Sequence, residues 1–144
     1  MDIMQPISVT GSTLTITKRN HAGAAIVANR AAGIAFTLPA SDGSGAEYEI
    51  VVGTTVTSNT TTVKVANATD IMSGVAINAA DGGATAVAFE TGASDDTITM
   101  DGSTTGGIKG DRIRLKDIAS GIWHVQVIGS ATGTEATPFS ATVS

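Results

Sequence analysis

The chain has 144 residues, which suits a single domain with a substantial core. Charged residues make up 15% of it against about a quarter in an average protein, net charge is −5, and Lys and Arg form no cluster, which argues against nucleic acid as a partner. Cysteine is absent, which excludes disulfides, thiol catalysis and cysteine-ligated metals, and no apolar run approaches the roughly 18 residues of a membrane span.

The core material is distinctive. Ala supplies 22 of the apolar residues, and of the 38 larger ones Ile and Val account for 26 and Leu for three. With 22 Thr, the β-branched residues make up one third of the chain. Such side chains are stiff at χ1 and suit a pleated surface, so the composition predicts an all-β protein.

Residues 1–11 carry Ile3, Met4, Ile7 and Val9 around Pro6 without a clear period, and are expected to form an N-terminal arm ahead of one β domain at 12–144. MDIMQPISVT has neither the basic start nor the apolar stretch of a secretory signal, so synthesis in the cytoplasm is expected. From Gly11 onward short alternating runs follow one another between turn signals. Leu14 and Ile16 share one face; Ala25 to Ala28 follow, then Ile34, Phe36 and Leu38. Tyr48, Ile50 and Val52 come next, then Val63 and Val65, Val87 and Phe89, Ile98 and Met100, Ile113 and Leu115, and Trp123, Val125 and Val127, with a short strand at 139–143. The spacing predicts an antiparallel β-sandwich, jelly-roll-like or barrel-like. Residues 68–80 come closest to a helical period, over too short a span to support a helix. Asp117 to Gly121 reads as the turn of a hairpin, and Asp101-Gly102 as a turn directly after residues 97–100.

The stretch Asp42-Gly43-Ser44-Gly45 invites comparison with a phosphate-binding loop. It lacks the Lys-Ser/Thr of a P-loop and leads into Glu47-Tyr48-Glu49-Ile50, an alternating strand rather than a helix N-terminus, with two acidic residues that would repel phosphate. It is expected to turn the chain and hold no ligand. Asp95, Asp96 and Asp101 lack the spacing of a calcium loop and read as solvated; Asp81 and Asp111 read as turn formers. His21 and His124 stand in no metal-binding or nucleophile-activating motif, and no G-x-S-x-G elbow occurs. Neither an enzyme nor a cofactor is expected. Arg112, Arg114 and Lys116 alternate with Ile113 and Leu115, which places the three cations on one solvated strand face. Phe36, Phe89 and Trp123 fall on the apolar parity of their strands, as does Tyr48, and the four are expected in the core.

The runs FTLPASDGSGAEYEIVVGTTVTSNTTTVKVANATD and DDTITMDGSTTGGIKGDRIRLKDIASGIWHVQVIGSATGTEATPFSAT resemble small virion proteins of tailed bacteriophages, the capsid decoration or cement class above all. The strand–TLPA–GSG–aromatic strand unit and the late G-D, L-x-D and G-x-W-x-V phrases carry the resemblance across residues 12–142. It implies a β-rich homotrimer on the outer surface of the phage head, bound to the major capsid protein and reinforcing the shell. No catalytic residue, nucleic acid or membrane comes with it. A thin core spread over many strands also favours association, which would bury more surface. Ile3, Met4 and Ile7 are the candidate contacts to a neighbouring subunit or to the capsid. The other reading is a receptor- or glycan-binding module of a tail fibre or spike.

Overall fold

A computed structural model describes residues 5–144. Among the described residues, twelve strands form two sheets packed face to face, with a single helical turn between β2 and β3. The strands are β1 (Ile7–Val9), β2 (Thr13–Thr15), β3 (Ala25–Ala28), β4 (Ala35–Thr37), β5 (Glu47–Val52), β6 (Thr61–Lys64), β7 (Ile71–Ala80), β8 (Thr85–Glu90), β9 (Thr97–Met100), β10 (Arg112–Ala119), β11 (Ile122–Ala131) and β12 (Phe139–Ser140), with α1 at Lys18–His21. The larger sheet runs β1-β3-β5-β10-β11-β7-β8 and the smaller β12-β9-β6-β4-β2.

The sandwich is all-β, as the composition predicts, but its pairing is mixed. β1, β3 and β5 are parallel neighbours, as are β2, β4 and β6, and β7 and β11. The cause is the winding of the chain. From β1 to β7 it alternates between the sheets, so odd strands enter one layer and even strands the other. A parallel neighbour needs a crossover connection, and here a strand of the opposite sheet takes the place of the usual helix. Two antiparallel pairs are hairpins in which the chain turns straight back, β7–β8 and β10–β11, the latter through Ser120-Gly121; β5–β10, β6–β9 and β9–β12 are antiparallel pairs between strands distant in the chain. The β10–β11 hairpin lies between β5 and β7.

Strand alternation decides the core. On the inner face of the larger sheet, Ile7, Ile26, Ile50, Ile113, Val127, Ala76 and Phe89 stand directly opposite one another across all seven strands. Leu14, Phe36, Val63, Ile98 and Phe139 make the corresponding row of the smaller sheet. Trp123 is fully buried and meets Tyr48 edge-on, with ring centroids 5.7 Å apart and planes at 60°. Phe89, near the sheet edge, is only partly buried. β7 is the main departure from the sequence reading. Residues 71–80, nearest to a helical period, form a ten-residue strand.

Candidate interaction surface

The loops are organised by carboxylates. Asp117 is inward-facing near the end of β10 and 3% exposed. It accepts the amides of Asp42 and Gly43 at 3.0 and 2.8 Å and the Ser44 hydroxyl at 3.2 Å. Gly43 and Gly45, at φ 78° and 76°, provide the left-handed backbone that lets the loop curl around it. The glycine-rich stretch therefore turns the chain as expected, while two of its amides are committed to an anion of the protein itself. Burial raises the Asp117 pKa, and the Asp42 and Gly43 amides outweigh it, leaving the carboxyl below its usual range. Tyr48 is pushed up by its own burial and by the nearby charges of Asp117 and Asp42.

Asp96 corrects its reading as a solvated loop carboxylate, whereas Asp111 does close a turn, its amide donating to the Ile108 carbonyl, but is buried. Asp96 is fully buried and accepts the Thr97 hydroxyl and the amides of Thr142, Val143 and Ser144, fastening the end of the chain. Burial pushes its pKa up, but these donors prevail and hold it at about 2. Asp101 likewise accepts the Ser103 and Thr105 amides and the Thr104 hydroxyl; burial raises its pKa, and the donors bring it to about 2. Asp111, 1% exposed, accepts the amides of Gly107, Ile108 and Ser130, yet burial dominates and its pKa is raised. The sequence carried no signal for these roles, because most of the donors are backbone amides and several lie far along the chain.

The outer face of the larger sheet spans seven strands. Its two parts differ. On β5, β10 and β11 it is charged and polar, and Arg114–Glu49 and Lys116–Glu47 pair across strands at 3.5 and 3.4 Å. This confirms the cations on one face opposite Ile113 and Leu115. Arg114, Lys116 and their two glutamates, together with His124, Gln126, Asn20 and residues 22–25, line an open groove of about 890 Å³. On β11, β7 and β8 the same face is apolar. Val75, Ile77 and Ile128 are 37%, 43% and 43% exposed, with Ala86 and Ala88 exposed beside them.

Ile3 and Met4 lie outside the described residues. Ile7 does not extend away from the domain: it pairs with Ile26 and packs against the core, so residues 7–9 of the expected arm belong to the larger sheet. His21 is buried in the helical turn, where its Nδ1 accepts the Thr17 amide at 2.9 Å. His124 stands on the groove floor, beside Lys116 and Ser73 of adjacent strands. Among the described residues, no three acidic or histidine side chains are placed to share a cation, and no helix is long and apolar enough to cross a membrane. No family model, curated protein or solved structure matches the chain.

Proposed function

We propose that this chain is a non-enzymatic structural protein of a phage virion, a decoration or cement protein that binds the outer surface of the head as a homotrimer and reinforces the shell. One observation carries the reading beyond the sequence resemblance. The β11, β7 and β8 part of the larger sheet's outer face is exposed and apolar, while the loops that would build a reactive site in other folds commit polar groups to internal hydrogen bonds. A rigid body with a large unoccupied face suits repeated docking, in which a symmetric oligomer turns weak contacts with the major capsid protein into avidity.

The experiment is direct. Purified protein is mixed with undecorated heads and imaged by electron cryomicroscopy. Added density at three-fold or quasi-three-fold positions is the expected result; heads that stay bare at saturating protein refute it. The polar groove beside His124 and Gln126 favours one second reading, a glycan- or receptor-binding module of a tail fibre or spike. Specific retention on a glycan array, abolished by Gln126→Ala, would replace the first reading with this one.

A further inference from the structure

We propose that the apolar strip on β11, β7 and β8 is the surface through which copies of this chain meet, with Arg112 of one copy set against Glu90 of the next. This rests on the homotrimer in the reading above and identifies its interface. Strand register defines the strip. Ile128, Ile77 and Ala88 stand side by side in one row, Gln126, Val75 and Glu90 in the next, and Ser130, Ala79 and Ala86 on the other side. Of these nine outward positions only Glu90 is charged. Arg112 extends the Ile128 row on β10. The strip thus ends in a cation at one margin and an anion at the other.

The contrast with the rest of the face gives these two charges meaning. Arg114 and Lys116 each have a cross-strand Glu, whereas neither Arg112 nor Glu90 has an ion-pair partner among the described residues. β8 is also an edge strand, and its sequence lacks the Lys or Pro that commonly guards an edge. A net charge of −5 disfavours approach of two copies elsewhere, so an uncharged strip with opposite charges at its margins is the place where like chains can touch.

The width of the strip agrees with three copies. From β10 to β8 are three strand spacings, about 14 Å at the usual ~4.8 Å each. Three sheet faces around an axis, each ~5 Å from it as half the ~10 Å between packed sheets, enclose a triangle with sides of about 17 Å. At each corner the Arg112 margin of one copy meets the Glu90 margin of its neighbour, a head-to-tail contact that closes after three. Ile77, Ile128 and Val75 fill the axis.

Sedimentation equilibrium of the full chain tests this, with circular dichroism to verify the fold of each variant. The wild type is expected at three times the chain mass. Ile77→Lys, an outward substitution, should give monomer. Arg112→Glu and Glu90→Arg should each raise the concentration for half-assembly about tenfold, and the combined swap should return it to within a few-fold of wild type. A wild type that stays monomeric or stops at a dimer overturns the proposal, as does a swap no better than either single change. Density on heads from a monomeric protein would leave docking on the head standing and remove the homotrimer together with this interface.

Discussion

Asp111 lies directly over Gly129. A methyl group added at Gly129 would come within 2.5 Å of the Asp111 carboxyl carbon. That glycine is what allows the Asp111 carboxylate to lie flat against β11 and reach the Ser130 amide at 2.9 Å. Gly129→Ala is therefore expected to destabilise the fold by about 1–3 kcal/mol, the usual range for overpacking, and to lower the denaturation midpoint accordingly. Unchanged stability would mean the carboxylate can move aside at no cost.

Removing the acceptor should cost at least as much. Asp111→Ala leaves the amides of Gly107, Ile108 and Ser130 without their partner, at about 1–3 kcal/mol for each one that stays buried. Chemical denaturation of the two variants separates crowding from lost hydrogen bonding. If Asp111→Ala were the milder change, the role assigned to the carboxylate would be wrong.

Asn78 predicts the opposite sign. It faces inward from β7, fully buried, and neither its side-chain oxygen nor its nitrogen has a hydrogen-bond partner. Replacing an unsatisfied buried amide with an apolar group of similar size removes a penalty without opening a void. Asn78→Leu should raise stability by on the order of 1 kcal/mol, measured by thermal unfolding. A lower midpoint would show that the amide does find a partner, such as an ordered water.

Asp96 sets an acid limit. The fold prefers its ionised form, with a pKa of about 2 against roughly 3.9 for a free aspartate. Its contribution, on the order of 2 kcal/mol, is complete above the unfolded value and is lost as pH falls through the folded one. Wild-type stability should decline between about pH 4 and pH 2, and the Asp96→Asn curve should be flatter there and lower at neutral pH. Parallel curves would assign the acid sensitivity to other groups, with Asp101 next in line.

The surface ion pairs should behave differently. Arg114 and Lys116 are 58% and 49% exposed, so Arg114→Ala or Lys116→Ala should change stability by less than about 1 kcal/mol at ordinary salt. A larger loss in urea titrations would indicate that the groove floor is structural rather than open to a partner.

Much of the fold was legible because parity and burial agree. Ile50, Ile113, Val125 and Ile98 each face the core as their alternation predicts. β7 was not legible, and the reason is physical. Over residues 75–80 its large aliphatic residues Val75 and Ile77 point outward, while the inner positions hold Ala76, Asn78 and Ala80, so the alternation signal is inverted there. The feature that hid the strand is the same one that makes its outer face a candidate for contact. Parallel pairing was also hidden, because alternation within a strand says nothing about which layer the chain visits next. The carboxylate clasps escaped for a different reason: Asp117 and Asp42 are 75 residues apart, and an Asp near a turn looks the same whether it meets water or a distant amide.

The strict alternation of β1 to β7 between layers has a kinetic consequence. Neither sheet is a continuous piece of chain, so no early segment can complete a layer and wait for the rest. Each parallel neighbour closes only after the opposite layer has received its own strand, and the β10–β11 hairpin must still enter between β5 and β7. Assembly of this kind pays its loop-closure entropy before most contacts form, which places folding in the millisecond-to-second range typical of non-local β topologies. The same interlacing ties the two layers together in the finished molecule, so that to peel one sheet away the chain must give up both.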